Sequence, residues 1–394
     1  MPNPKYILGI FPLSADPAHF GHLWIIQEAA KLCRHLIVLI LDNDEKRGNY
    51  LLSVDTRKRL METGIAAHLD GVQNVTVEVT YKILADFYME NGADALFRGI
   101  RGKKDVDYED TQMWYHRQIN PAINVEYVNT HVDYERVSST MIKGFVSHCL
   151  DVQKYTPLAV KAACEQEILG QRLVGVVGRM CSGKSTVAAT VASLLSNDTY
   201  WQERRVRPIP GHHLDMDVIV RQFYTEDTPG AEATREKVAE LLSVPLHDGK
   251  LNSKEVKAAI AAADRDTREA VDHIVYPHTE RLIRQWRKGK TGIIFFEWAL
   301  LAASESSGMV NNDVILVTCS DEDHQVFLGQ REAESWWASM KNHQPTNERT
   351  RMMLNRVIQK DGCGTLLEVE TSQTTDFHAI ATQVRETYPV WTGS

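Results

Sequence analysis

The stretch that decides the fold is "YILGIFPLSADPAHFGHLWIIQEAAKL", residues 6–32. Its opening residues are mostly apolar, as in a buried strand, and apolar residues recur with helical spacing from about Gly21 onward. Two histidines, His19 and His22, lie on either side of Gly21. A strand, a turn and a helix in this order predict the first unit of an alternating α/β fold.

The alternation of strands and helices continues along the chain in two series. The first series contains further strand patterns at 35–41, 74–80, 95–99 and 123–129. The second series has its strand patterns at "RLVGVVG" (172–178), "GIIFFE" (292–297) and "DVILVTC" (313–319). Apolar strands that alternate with helices indicate parallel sheets. We therefore expect two doubly wound α/β domains, residues 1–168 and residues 169–394.

Composition excludes several classes of protein. The chain has 394 residues, of which 43% are hydrophobic and 24% charged, so a packed core is expected. A net charge of −8 with no dense Lys/Arg block argues against nucleic acid as a partner. No apolar run reaches the ~18 residues of a membrane helix, and residues 1–5 lack the basic-then-apolar pattern of a leader, so we expect none. The six cysteines form no CxxC pair. We expect free thiols in a cytoplasmic protein without a membrane partner, for which oligomers are possible.

The sequence "GRMCSGKS", residues 178–185, fits the pattern GxxxxGK[ST] between a strand and a helix. Backbone N–H groups of such a loop bind phosphate, assisted by the helix N-terminus. We expect Lys184 to bridge the β- and γ-phosphates of ATP and Ser185 to hold Mg²⁺. A chance glycine–serine turn is the alternative, but the flanking strand and helix argue against it. The predicted nucleotide-binding residues are Gly178, Arg179, Met180, Cys181, Ser182, Gly183, Lys184, Ser185 and Thr186.

Three acids lie where further strands of the second series should end. Asp215 and Asp217 occur in "HLDMD", and a carboxylate there could align and deprotonate a hydroxyl that accepts phosphate. Taken alone, this segment also fits a solvated turn. We expect at most one of the two acids to face the γ-phosphate. Glu297 could hold Mg²⁺ through water or could simply be a polar strand terminus.

The second series resembles the dephospho-coenzyme A kinases over residues 172–390. The resemblance rests on "LVGVVGRMCSGKSTVA" and "LDMDVIVRQFY", and on "LNSKEVKAAIAA" and "VDHIVYPHTERLI" further on. It implies that Asp217 is the catalytic base, supported by Asp215 and Arg221.

Other positions match this family only loosely. The family's substrate-side arginines map to Arg331 and to Arg349 or Arg351. Tyr276 replaces the family's His before Pro, and residues 299–301 (Ala-Leu-Leu) replace its Pro-Leu-Leu.

His19 and His22 allow three interpretations. With Asp16 as a third ligand they could form a metal site. They could also be a capping and a packed histidine. A glycine at a helix start, however, lets backbone approach phosphate, and imidazoles can donate to its oxygens.

Further segments favour the phosphate interpretation. "SADPAHFGH" resembles the Thr-Phe-Asp-Pro-x-Thr/His-x-Gly-His segment of phosphopantetheine adenylyltransferases, within the HxGH nucleotidyltransferase superfamily. "NDEKRGNYLLSVDTRKRL", "FRGIRGKKDVDYE" and "VSSTMIK" resemble further segments of that family in the same order. The resemblance covers nearly all of residues 4–166. One departure is Leu13, where the family usually has Gly.

This resemblance implies roles for individual residues. Ser14 and the essential Lys46 would bind the phosphate of 4′-phosphopantetheine and the transition state. His22, with His19 beside it, would stabilise the α-phosphate of ATP. The remaining ATP-binding residues would be Arg98 and Arg101 at the phosphates, Glu109 at the ribose or adenine side, and Ser138, Ser139 and Thr140 at the triphosphate.

An adenylyltransferase followed by a P-loop kinase resembles the bifunctional coenzyme A synthases. We therefore expect two consecutive ATP- and Mg²⁺-dependent reactions, giving dephospho-coenzyme A and then its 3′-phosphorylated product. One alternative is a nicotinamide mononucleotide adenylyltransferase fused to a nucleoside kinase. Another is a nucleotide-binding regulator with a degenerate kinase half.

Overall fold

The structure is a computed structural model that describes residues 4–42, 48–101, 113–298, 301, 306–331 and 344–390. Lys46 and Glu109 lie outside the described residues, as do Ala299 and Leu300.

The first sheet has five parallel strands in the order β3-β2-β1-β4-β5. The strands are β1 (Tyr6–Leu13), β2 (Cys33–Leu41), β3 (Val75–Thr80), β4 (Ala95–Ile100) and β5 (Val125–Asn129). The helices of this part are α1 (Phe20–Leu32), α2 (Val54–His68), α3 (Leu84–Glu90), α4 (113–119), α5 (Ser139–Ser147) and α6 (Leu158–Leu169). The strand order reverses between β1 and β4, where ligands of open α/β sheets bind at the carboxyl ends of the strands.

The second sheet has five parallel strands in the order β12-β11-β6-β10-β7. The strands are β6 (Gln171–Val177), β7 (Gly211–Asp215), β10 (Gly292–Glu297), β11 (Val314–Cys319) and β12 (Leu366–Thr371), and a small hairpin contains β8 (Leu246–His247) and β9 (Lys250–Leu251). The helices are α7 (Lys184–Leu195), α8 (Asp198–Glu203), α9 (Met216–Thr225), α10 (Pro229–Leu242), α11 (Ser253–Ala262), α12 (Arg265–Arg287), α13 (Asp321–Gln330), α14 (Asn347–Asp361) and α15 (Phe377–Thr387). The prediction of two parallel α/β sheets is confirmed. We call the two parts of the chain the amino-terminal and carboxy-terminal units.

The apolar strand patterns form the cores of both sheets. Ile10 and Leu36 in the first sheet and Val174 and Phe295 in the second are fully buried. Burial on both faces of a parallel sheet requires such continuous apolar runs. The start of α2 is also fixed locally. The Ser53 side chain caps this helix by accepting the N–H of Thr56.

A buried charge network joins the two units. Lys161, on α6 and only 1% exposed, donates to the side chain of Asn311 at 2.8 Å and to the carbonyl of Met309 at 3.0 Å. Glu165, one turn later, pairs with Arg287 at 3.0 Å and accepts from Asn311 at 2.8 Å. The helix that carries Lys161 and Glu165 also spans the boundary predicted at residue 168.

The described helices include none that is long and apolar enough to cross a membrane. All six cysteines are free thiols, as predicted.

Candidate functional site

The turn after β1 is held by Asp16, whose side chain is buried. The carboxylate accepts the N–H groups of Leu51 at 3.0 Å and Leu52 at 2.9 Å, and it pairs with Lys143 at 3.2 Å. These contacts tie the turn to the segment before α2. The carboxylate is thus used in holding backbone, which argues against Asp16 as a metal ligand. Within the described residues no group of three or more His, Cys, Asp and Glu side chains could hold a metal ion.

His19 and His22 form a stacked pair at the start of α1, with ring centroids 3.6 Å apart. His19 immediately precedes the helix, and its N–H donates to Nδ1 of His22 at 3.3 Å. Because Nδ1 accepts this hydrogen bond, we assign the ring proton of His22 to Nε2. His22 therefore has an N–H donor available at the helix N-terminus.

Burial keeps both imidazoles neutral. It lowers the pKa of His22 to about 3, and the positive charge of Arg101 acts in the same direction. Burial likewise lowers the pKa of His19 well below its ordinary value, assisted by His22 and Arg101. A neutral imidazole still donates one hydrogen bond. The pair can consequently contact a phosphate oxygen without first taking a proton from solvent.

The N-terminus of α5 reaches the same turn. Ser139 donates from Oγ to the carbonyl of Pro17 at 2.7 Å, and Ser138 caps the helix by accepting the N–H of Met141 at 3.1 Å. Thr140 is exposed in the first turn of the helix. The structure thus brings the N-termini of α1 and α5 to one turn, an arrangement that favours an anion.

Two arginines predicted at the phosphates approach this turn from β4 and from the residue that follows it. Arg98 donates to the carbonyl of Pro12 at 3.5 Å, at the end of β1. Arg101 donates to the carbonyl of Val137 at 3.1 Å, just before α5. Both residues thus contact backbone at the carboxyl end of the first sheet.

Arg57 is a residue of this region that the sequence analysis missed. Its side chain is 1% exposed, and it donates to the carbonyls of Ser14 at 2.8 Å and Leu41 at 3.0 Å. It also pairs with Asp42 at 2.5 Å. The helical spacing could have indicated that Arg57 is buried, because it shares one face of α2 with Leu60, Met61 and Gly64.

The carboxy-terminal unit places the segment "GRMCSG" between β6 and α7, as predicted. Gly178 has φ 151°, and a Cβ atom there would lie 2.2 Å from the carbonyl oxygen of Val317. Gly183 has φ 87° and precedes the first residue of α7. Both positions therefore require glycine. We call residues 178–183 the glycine loop.

Lys184 lies against the glycine loop. Its side chain is buried, and Nζ donates to the carbonyl of Arg179 at 2.7 Å. Burial lowers the pKa of Lys184, although the negative charge of Glu297 opposes this shift. Ser182 in the loop is fully buried, and its Oγ has no hydrogen-bond partner among the described residues.

Three side chains that are linked by hydrogen bonds lie beside Lys184. Ser185 donates from Oγ to one carboxylate oxygen of Glu297 at 2.5 Å, and Nε2 of His213 contacts the other oxygen at 2.9 Å. Burial raises the pKa of Glu297, but the hydrogen bonds from His213 and Ser185 and the charge of Lys184 outweigh it and lower the pKa overall. Glu297 is therefore a carboxylate anion in contact with the first turn of α7.

The expectation that Asp215 and Asp217 both lie at a strand end and point to opposite sides is wrong, because residues two positions apart on a strand share a face and the strand ends before Asp217. Only Asp215 belongs to β7, and α9 begins at Met216. Asp215 caps this helix by accepting the N–H of Asp217 at 2.8 Å. Asp217 is exposed in the first turn and pairs with Lys257 at 3.1 Å.

The ends of three strands bring these acids to one edge of the second sheet. Glu297 pairs in register with Asp215 of β7 and with Val176 of β6, which lies two residues before the glycine loop. The two acids and the loop therefore lie at the carboxyl ends of neighbouring strands, where α/β sheets bind ligands.

The remaining predicted substrate residues lie on the surface of this unit. Arg221 is exposed on α9, Arg331 follows α13, and Arg349 is exposed in the first turn of α14. Arg351 forms a two-point pair with Glu368 at 2.5 and 2.6 Å. Tyr276 is 48% exposed and precedes Pro277 inside α12.

Known proteins similar to the amino-terminal unit include members of the family that its sequence motifs resemble. A family model described as cytidylyltransferase-like matches residues 10–145. The phosphopantetheine adenylyltransferase of Heliobacterium modesticaldum is 31% identical over 155 residues, which cover 39% of this chain and 89% of that protein. The enzyme of Alkaliphilus oremlandii is 35% identical over 136 residues, which cover 34% of this chain and 83% of that protein.

The amino-terminal unit belongs to the phosphopantetheine adenylyltransferase family. The predicted resemblance of this part is thereby confirmed. The carboxy-terminal unit lies outside the span of the family model, so its assignment rests on its own residues.

Solved structures give weaker likenesses. TT1252 from Thermus thermophilus is 20% identical with a TM-score of 0.40, over 55% of this chain and 97% of that one. A NadR protein in complex with NR is 14% identical with a TM-score of 0.32, over 99% of this chain and 98% of that one. Scores this low add nothing to what the two sheets themselves show.

Proposed function

We propose that the amino-terminal unit transfers the adenylyl group of ATP to 4′-phosphopantetheine, which gives dephospho-coenzyme A and pyrophosphate. The observation that carries this proposal is the neutral His22 donor at the N-terminus of α1, in a unit of the phosphopantetheine adenylyltransferase family. A phosphate oxygen of the acceptor attacks the α-phosphorus in line. A new P–O bond forms as the bond from the α-phosphorus to the bridging oxygen breaks, and pyrophosphate leaves.

This reaction needs no protein nucleophile. Charge develops on the α-phosphate oxygens, and donors that are already in place stabilise it. His22 donates from Nε2, and His19 stacks against it. The N-termini of α1 and α5 add fixed partial positive charge.

The other residues of this unit take supporting roles in the proposal. Arg98 and Arg101 contact the ATP phosphates, and Ser14 the acceptor phosphate. Ser138, Ser139 and Thr140 bind the triphosphate. Lys46 and Glu109 keep the roles implied by the family resemblance, at the acceptor phosphate and at the ribose or adenine.

We further propose that the carboxy-terminal unit transfers the γ-phosphoryl group of ATP to the ribose 3′-hydroxyl of dephospho-coenzyme A. A new P–O bond forms as the bond from the γ-phosphorus to the bridging oxygen breaks, and ADP leaves. The glycine loop, Lys184 and Ser185 support binding of the ATP phosphates. Asp217 accepts the proton of the attacking hydroxyl, and to do so it exchanges its contact with Lys257 for the substrate. Asp215 and Arg221 assist, and Arg331, Arg349 and Arg351 contact the substrate.

The donor set beside the glycine loop fits Mg²⁺. The hydroxyl of Ser185 and the carboxylate of Glu297 are hard oxygen ligands, and Glu297 is held in its charged form. These residues would hold the cation, Ser185 directly and Glu297 through water. When bound, Mg²⁺ neutralises charge on the β- and γ-phosphates of ATP. Positioning of the phosphates and of the hydroxyl falls to the protein's own groups.

One assay tests both reactions. Full-length protein with 4′-phosphopantetheine and Mg-ATP should yield dephospho-coenzyme A first and its 3′-phosphorylated product later, as resolved by mass spectrometry. In Asp217→Asn the first product should accumulate, whereas Glu255→Gln on the neighbouring α11 serves as a control and should behave as wild type. Faster turnover of nicotinamide mononucleotide than of 4′-phosphopantetheine would overturn the first assignment. Wild-type protein that never phosphorylates dephospho-coenzyme A would favour a regulator.

A further inference from the structure

His213 has a partly buried side chain, 21% exposed, that the proposed mechanism does not use. Its strand, β7, pairs with β10 so that His213 lies beside Phe295 and Asp215 beside Glu297. Because side chains alternate along a strand, His213 and Glu297 lie on the same face, one diagonal step apart. Leu214, the next residue, is an apolar core residue of the other face.

The contact between His213 and Glu297 has a defined direction. A carboxylate oxygen only accepts, so His213 donates from Nε2 across the 2.9 Å contact. For the same reason Ser185 donates its hydroxyl proton to the other oxygen of Glu297. The lone pairs of the Ser185 oxygen are therefore left for a cation. The direction in which these lone pairs point depends on the position of the Glu297 carboxylate, to which the Ser185 hydroxyl donates.

Lys184 competes with Ser185 and His213 for the carboxylate of Glu297. The charge of Lys184 acts on this carboxylate, yet Lys184 donates to the carbonyl of Arg179 at 2.7 Å. A glutamate side chain with several rotatable bonds would turn toward such a lysine if nothing held its second oxygen. His213 holds this second oxygen by donating a hydrogen bond to it. Partners that orient the groups around a metal commonly change its affinity when they are replaced.

We propose that His213 is a positioning residue of the carboxy-terminal unit: by holding Glu297 it directs the Ser185 hydroxyl toward the divalent cation of the bound nucleotide. The proposal rests on the proposed kinase function of this unit. It assigns to His213 no contact with nucleotide, cation or substrate.

The test compares two adjacent histidines in the full-length protein. His213→Leu removes the donor to Glu297. His212→Leu is the matched control, because His212 contacts the carbonyl of Thr291 at 3.0 Å and packs near Trp286 on the other face. The readout is Mn²⁺ binding in the presence of ADP, followed by electron paramagnetic resonance. The part of the signal that is lost in Lys184→Ala reports the glycine loop alone.

His213→Leu should weaken this Mn²⁺ binding by about tenfold or more, and His212→Leu by less than about twofold. His213→Gln, which keeps a donor, should recover part of the affinity. The apparent KM for Mg²⁺ in the kinase reaction should rise while kcat at saturating Mg²⁺ stays within about twofold. In a Glu297→Gln background, His213→Leu should have no further effect.

Unchanged Mn²⁺ binding in folded His213→Leu would overturn the proposal, and so would an equal loss in His212→Leu. If His213→Leu does not fold, His213→Ala, which also removes the donor, is judged by the same criteria. Wild-type protein that binds Mn²⁺ and ADP at the loop, but does not phosphorylate dephospho-coenzyme A, would contradict the proposed function and leave this proposal standing. No binding at the loop in wild type would overturn both.

Discussion

The guanidinium of Arg57 contacts the carbonyl of Ser14 at 2.8 Å and pairs with Asp42 at 2.5 Å, so one buried side chain joins the ends of β1 and β2. Arg57→Lys keeps the charge but cannot make these contacts together, because an ammonium lacks the planar fork. We expect a loss of about 3 kcal/mol in the free energy of unfolding, measured with urea. Adenylyl transfer should fall more than tenfold, since the turn with Ser14 loses its support.

Arg59→Lys is the control for this variant, because Arg59 is exposed on the same helix. It should keep wild-type stability and activity. Adenylyl transfer that survives in Arg57→Lys would show that the turn is held without the guanidinium.

The low pKa of His22 predicts a pH dependence of stability. In the unfolded chain a histidine takes a proton near pH 6.5, whereas in the folded protein the pKa of His22 is about 3. Between these values the unfolded state binds more protons, so wild-type protein loses stability as pH falls below about 6.5. His22→Gln removes this group and should lose less stability between pH 7.5 and pH 5.0. The difference is at most about 1.4 kcal/mol per pH unit.

Urea unfolding at both pH values measures this difference. His247→Gln is the control, because His247 is an exposed histidine of the other unit. Equal acid sensitivity in wild type and His22→Gln would contradict a His22 that stays neutral in the folded protein.

The two reactions should be separable by single substitutions. Lys184→Ala removes the buried ammonium beside the glycine loop, and we expect 3′-phosphorylation of dephospho-coenzyme A to fall about a hundredfold or more. Adenylyl transfer should stay within about twofold of wild type. His22→Ala should give the opposite result. Loss of both reactions in a folded Lys184→Ala protein would count against separate sites.

Lys161 offers a test of how the two units are joined. Lys161→Met leaves the buried carboxylate of Glu165 and the amide oxygen of Asn311 without this donor. Removing one partner of a buried charge network typically costs about 3–5 kcal/mol. We expect calorimetry to show a lower first unfolding transition, with the two units unfolding further apart in temperature. Lys154→Met, at an exposed lysine, should leave the profile unchanged.

The strands and the glycine loop were predictable because each has a local signal in the sequence. Asp16 was not, since its partners are backbone N–H groups of Leu51 and Leu52, which no side-chain pattern reveals. The start of α9 directly after Asp215 was also missed, because a strand that passes into a helix without a turn leaves no breaker residue. Lys161 and Asn311 meet only through the packing of one unit on the other, which a linear pattern does not encode.

The network around Lys161 also bears on how the two units would behave if they were separated. Charged groups that leave a shared interface are readily hydrated, whereas an apolar face of the same size would aggregate. A chain severed at Gly170 should therefore give two soluble fragments, each with half of the Lys161–Asn311 and Glu165–Arg287 contacts. Mixed together, the fragments should recombine more slowly in concentrated salt, which screens the charges that attract them while they are still apart.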